Sequence, residues 1–171
     1  MSETEDQAVR IFRKAGAVRM GHFRYTSSGQ HGSVYVESGL VCAQPPLISH
    51  LGRLLAYQFC GHGIGAVIGP ESGAIALGQW VAHHLIVYTQ NDVVALSAEK
   101  TGEESKGFRI ASPYHELIAG QRVLVIDDVV HTGKSMRQTA DAARMAGGIV
   151  VAGGVLWNRG DVSADDAGVS E

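Results

Sequence analysis

The chain has 171 residues, 45% hydrophobic and 18% charged, the balance of a single globular domain with a substantial core. A formal net charge of −3 argues against a general electrostatic grip on nucleic acid, and no apolar run approaches the ~20 residues of a membrane span. Cys42 and Cys60 form neither a CxxC nor a zinc spacing and read as free thiols in a reducing cytosol, and the acidic start MSETEDQAVR does not read as a signal peptide.

Residues 4–15 predict an amphipathic helix, with Val9, Ile11, Phe12 and Ala15 on one side and Gly16 at its end. Residues 18–44 mix glycine and serine with alternating aromatic and β-branched residues, which predicts short strands and turns. Pro45-Pro46 opens a second helix through Leu47, Leu51, Leu54, Leu55 and Phe59, closing near Gly61 to Gly65. The chain then alternates: strand 66–68, a GPESG turn, helix 74–85, strand 93–98, a polar irregular stretch 99–120, strand 122–127, helix 135–147 and strand 149–156. Continuous Val, Ile and Leu strands alternating with helices imply an α/β fold, a Rossmann-like parallel sheet covered on both faces. No internal repeat is evident. Residues 157–171 are small, acidic and polar, and read as a loose tail. The whole of 1–171 is expected to form one domain, with a core over about 45–156.

VLVIDDVVHTGKS, residues 123–135, ends an apolar strand on Asp127 and Asp128 and follows it with a polar loop and a helix start. In a parallel sheet, ligands bind where strands end. Carboxylates accept hydrogen bonds from vicinal hydroxyls. The HTGKS loop can turn backbone N–H groups and the Thr132 and Ser135 hydroxyls toward an anion, helped by the helix dipole. A diol grip beside a phosphate grip describes a sugar phosphate. A P-loop is excluded, because Asp128 stands where G-x-x-x-x-G-K-[ST] needs its first glycine. A GxGxxG fingerprint is also absent, since Gly61, Gly63 and Gly65 precede a strand and residue 66 is alanine. His83, His84 and His115 lack an HExxH or comparable partner and do not read as metal ligands.

These residues resemble the phosphoribosyl pyrophosphate motif of the type I phosphoribosyltransferases, and most of the chain is similar to the orotate branch. GHFRYTSSGQHGSVYVESG (21–39) resembles that branch's N-terminal hood, which would span about 18–44. IGPESGAIALG (68–78) resembles its pyrophosphate loop, AEKTGEESKGFRI (98–110) its flexible catalytic loop, and GVLWNRG (154–160) the segment carrying a substrate-binding arginine.

The resemblance implies transfer of ribose 5-phosphate from phosphoribosyl pyrophosphate to orotate, with Mg²⁺ carried by the substrate and no direct protein cage for it. It implies that Asp127 and Asp128 face the ribose hydroxyls. Val129, Val130, His131, Thr132, Gly133, Lys134 and Ser135 would form the phosphate segment, with Glu71, Ser72 and Gly73 at the pyrophosphate end. Lys100 would neutralise the leaving group, with Lys106 and Arg109 as weaker candidates in the same loop. Arg159, His131 and Tyr35 would meet the base. A cytoplasmic homodimer is implied too.

The sequence departs from the orotate pattern in places. His131 stands where threonine is common, Ser72 where some members carry lysine, and Glu99, Glu103 and Glu104 make the loop unusually acidic. The chain also stops sooner after Arg159 than is usual, which implies a truncated sequence or a missing final strand. Two alternatives stay open: the same fold acting on a purine or other base, and a non-catalytic sensor of phosphoribosyl pyrophosphate.

Overall fold

The computed structural model describes residues 3–25, 29, 31–102 and 107–171. Helix α1 (Glu3–Lys14) leads into an antiparallel hairpin of β1 (Val18–Arg24) and β2 (His31–Val36), then a single turn, α2 (Gly39–Cys42). Helix α3 (Pro45–Phe59) starts on prolines, which a first turn tolerates because its N–H groups have no helical partner. The remaining elements are β3 (Ala66–Pro70), α4 (Ala74–Thr89), β4 (Val94–Lys100), β5 (Phe108–Arg109), α5 (His115–Ile118), β6 (Arg122–Val130), α6 (Lys134–Met145), β7 (Ile149–Asn158) and α7 (Ala164–Ala167).

The main sheet runs β5-β4-β3-β6-β7, parallel throughout except where β5 returns antiparallel to β4. Side chains alternate across it. Ala66, Ile68, Val123 and Val125 face α6 through Met136, Ala140 and Ala143. Val67, Leu124 and Ile126 face α3 and α4 through Ala56, Leu77 and Val81. This period-two alternation in otherwise continuous apolar strands is what lets helices cover both faces. A third cluster of Phe12, Val36, Val41 and Leu51, with Trp157 packed against it, seats α1 and the hairpin on the sheet.

Three expectations change. The strand predicted at 122–127 runs on to Val130, pairing with β7 as far as Val130 opposite Asn158, so both acids lie within the strand. The stretch 99–120 is not wholly irregular, because β5 and α5 fall in it. The tail is not loose. Ser163 and Asp166 form a reciprocal capping box on α7, Ala167 and Val169 are buried, and the Gly153 N–H donates to the Glu171 carbonyl at 2.7 Å. Arg137 donates to the carbonyls of Asp165 and Asp166, and Arg144 to that of Gly168. No described helix is long and apolar enough to cross a membrane.

Candidate active site

β3 pairs with β6 only through Val125 and then turns into residues 71–73, whereas β6 continues beside β7. The connection from β3 crosses to β4 on one side and that from β6 crosses to β7 on the other. This is the switch point at which α/β sheets open a ligand crevice, and Asp127 and Asp128 lie at its rim.

Asp127 is 7% exposed. Burial pushes its carboxyl up to about 8, reinforced by the negative Asp128 beside it and by hydrogen bonding between the two side chains. The Asp128 N–H, donating to Asp127 Oδ1 at 2.9 Å, works the other way. Asp128 Oδ2 accepts the Ser38 hydroxyl at 2.5 Å and its Oδ1 accepts the Val129 N–H at 2.7 Å. A Cβ on Gly73 would sit 2.6 Å from Asp128 Oδ2, so any side chain there would push the Asp128 carboxylate from its place beside the 71–73 turn.

The raised carboxyl has a consequence for stability. The folded chain keeps a proton on Asp127 that the unfolded chain releases near the ordinary carboxylate value of about 3.9. Its stabilising share is therefore fully present below about pH 4 and is lost as pH rises through about 8. Asp127→Asn should raise the melting temperature in mildly alkaline buffer and change it little in acid. An equal shift at both ends of the pH range would contradict the buried, protonated carboxyl.

Beyond the acids, Val129 and Val130 turn their side chains into packing clusters, so what they offer the site is backbone. Thr132, Lys134 and Ser135 are exposed at the start of α6. Gly133 takes a left-handed φ of 72° just before the helix, a conformation that favours glycine. The loop thus leaves backbone donors and hydroxyls at a helix N-terminus, where an anion is favoured.

At the 71–73 turn, Glu71 Oε1 accepts the Lys100 N–H at 3.1 Å, and the Glu71 N–H donates to the Ala98 carbonyl. Ser72 is exposed beside it. Lys100 and Lys134 line one cavity of about 520 Å³ together with Thr101, Gly102, Phe108 and Gln138. Arg109 instead pairs with Glu99 at 3.7 Å. Lys106, Glu103 and Glu104 lie outside the described residues.

On the far side of the acids, a cavity of about 460 Å³ is lined by His131, Arg159, Tyr25, His31, Asn158 and the adjoining β2 backbone. The Arg159 N–H donates to the Val130 carbonyl at 2.9 Å, and its guanidinium lies 4.0 Å from the Tyr25 ring centre. The Tyr25 hydroxyl donates to the Val34 carbonyl at 2.6 Å, and its ring stands 5.8 Å from that of His131. His131 Nδ1 and Arg159 Nε are buried with no hydrogen-bond partner among the described residues. Buried polar nitrogens left unpaired in a protein are costly and point to a ligand partner or water. Tyr35 is not among the residues lining this cavity and packs instead on Phe23, with ring centres 5.5 Å apart.

The site also contains residues that local patterns did not single out. Tyr25 belongs to the aromatic run of the hairpin, so its type was visible but not its position. Ser38 is 90 residues from Asp128 in sequence, and no local signal links them.

The phosphoribosyl transferase domain model matches residues 44–168. The chain is 39% identical over 167 residues to the orotate phosphoribosyltransferase of Pelotomaculum thermopropionicum, covering 95% of this chain and 80% of that protein. Among solved structures, the Mycobacterium tuberculosis orotate phosphoribosyltransferase in complex with 5-phospho-alpha-D-ribosyl 1-diphosphate aligns with a TM-score of 0.69 at 22% identity, covering 95% of this chain and 87% of that one. An adenine phosphoribosyltransferase from Thermoanaerobacter pseudethanolicus aligns with a TM-score of 0.65 at 18% identity over 88% and 87% of the two chains. At such identities the structural likenesses establish a shared fold and do not choose between bases.

Proposed function

The chain belongs to the phosphoribosyl transferase family, and we infer that it is an orotate phosphoribosyltransferase, moving ribose 5-phosphate from phosphoribosyl pyrophosphate onto a ring nitrogen of orotate with release of pyrophosphate. The observation that carries the choice of base is the cavity beside His131. His31, His131 and Arg159 line it, and among the described residues no acidic side chain does. Such a lining suits a base that carries a carboxylate and gives a neutral purine little reason to prefer it.

The division of labour follows from the chemistry. As the bond from C1 to pyrophosphate breaks, C1 gains positive character and the leaving oxygens gain negative charge. Asp127 and Asp128 would hold the ribose diol, and residues 131–135 would anchor the 5-phosphate through backbone N–H groups and hydroxyls. Gly73 and its neighbours would approach the pyrophosphate with backbone donors. Lys100 would reach the leaving oxygens, with Lys134 across the same cavity. Arg159 would clamp the base carboxylate and the Tyr25 ring would wall it. Glu71, by accepting the Lys100 N–H, would fix the root of the loop.

Mg²⁺ is the cofactor we assign. Two adjacent carboxylates at the rim, next to a turn open to phosphate, are hard oxygen donors of the kind Mg²⁺ takes alongside substrate oxygens and water. The ion would arrive carried by phosphoribosyl pyrophosphate, with Asp127 and Asp128 near its waters, and when bound it supplies charge neutralisation to the pyrophosphate. We also assign a homodimer in the cytoplasm.

Formation of orotidine 5′-phosphate by purified protein given orotate, phosphoribosyl pyrophosphate and Mg²⁺ tests the reading. Adenine-dependent pyrophosphate release in place of orotate turnover would move the assignment to a purine, and binding without turnover would make the protein a sensor. Lys100→Ala should lower kcat at least about tenfold while KM for both substrates changes less, because the lysine acts on charge that appears only as the bond breaks. A normal kcat would remove Lys100 from catalysis and direct the test to Lys106.

A further inference from the structure

The hairpin carries a histidine pair, His22 and His31, whose mutual contact nothing above uses. The register of β1 on β2 shifts between Met20 and Phe23. That extra residue in β1 brings His22 beside His31, with His22 Nε2 and His31 Nδ1 2.7 Å apart and ring centres 4.9 Å apart. Two imidazoles this close share one hydrogen. If His22 Nε2–H donates, His31 Nδ1 is the acceptor, and its own hydrogen must then sit on Nε2. His31 also lines the cavity that holds His131 and Arg159, whereas His22 does not.

We propose that His31, with its tautomer set by His22, is a specificity-determining donor to the carboxylate-bearing base. The proposal rests on the orotate reading and deepens it. A neutral His31 in isolation presents either a donor or an acceptor from Nε2. Beside a donating His22 it presents a donor, which is what an anionic acceptor needs. His31 would contact the base, and His22 is a positioning residue that acts through it. The bulge has a definite use in this account, since a regular β1 would turn residue 22 to the other face of the hairpin.

The test is steady-state kinetics on four variants. His31→Ala should raise KM for orotate about tenfold, the scale of one hydrogen bond to a charged group, while kcat and KM for phosphoribosyl pyrophosphate stay near native. Uracil, which lacks the carboxylate, should be used no less well by His31→Ala than by the native chain. His22→Ala should shift orotate KM the same way by a smaller factor. His22→Gln should restore it, because an amide N–H can still donate to His31 Nδ1. An unchanged orotate KM in His31→Ala would overturn the proposal and leave the orotate reading standing. A loss shared equally by both substrates, in His31→Ala and in His31→Gln, would assign the pair to hairpin stability and overturn it too. A native chain that does not turn over orotate would sink the parent reading and this proposal with it.

Discussion

Replacing both acids, Asp127→Asn with Asp128→Asn, should weaken binding of phosphoribosyl pyrophosphate by about a hundredfold and leave the fold intact. In the proposed assignment the ribose diol would meet the ionised Asp128 and the neutral carboxyl of Asp127. A hydrogen bond to a charged group is worth about 1.5–3 kcal/mol and one to a neutral group about 0.5–1.5 kcal/mol, and the two losses compound to that order. The fold should survive because asparagine keeps an oxygen for the Val129 N–H that Asp128 Oδ1 accepts at 2.7 Å, and another for the Asp128 N–H. Asp127 is also buried at a cost, so its amide removes a desolvation penalty. Titration calorimetry with Mg²⁺ present reads the affinity directly. Unchanged affinity would mean that the ribose lies elsewhere.

Arg159→Ala should cut kcat/KM for orotate by about a hundredfold to a thousandfold, almost all of it in KM. Removing one partner of a desolvated charge pair costs about 2–5 kcal/mol, much of it because the other charge stays buried and unpaired. Arg159 is placed for that role by its backbone, which donates to the Val130 carbonyl next to His131, and by Tyr25 beneath its guanidinium. Arg159→Lys should recover little, since an ammonium offers neither the planar fork nor the same stacking on the ring. His131→Thr should be much milder, because a hydroxyl still donates one hydrogen bond. If Arg159→Ala and His131→Thr proved equally mild, the carboxylate would not lie in this cavity.

The strand–acid–loop–helix run was readable because one short segment carries all of it. Apolar residues 123–126, the acids and HTGKS adjoin in sequence, so local pattern and tertiary position coincide. The alternation of elements likewise exposed the parallel sheet. What stayed hidden depended on distance. Nothing near Ser38 indicates that its hydroxyl reaches Asp128, and choosing Tyr25 over Tyr35 needs the course of the hairpin past Arg24. The tail is an instructive failure, because Ser163 and Asp166 stand at capping-box spacing and could have been noticed. Its composition, short of large apolar residues, outweighed that signal. The packing relies on Ala167 and Val169 and on arginines from α6 rather than on a hydrophobic stripe.

That ordered tail bears on how the molecule avoids sticking to itself. β7 is the outermost strand of the sheet, and an outer strand offers a row of unpaired backbone groups to any extended chain that arrives. The closing segment occupies part of that row from within, through the bond from Gly153 to Glu171. Val169 also packs where a side chain at position 153 would stand. Removal of residues 161–171 would therefore uncover a strand edge as well as the 131–135 loop, which Asp166 and Val162 crowd at Gly133. Such a protein would be prone to strand-to-strand assembly, and its first symptom in storage would be turbidity rather than a loss of turnover.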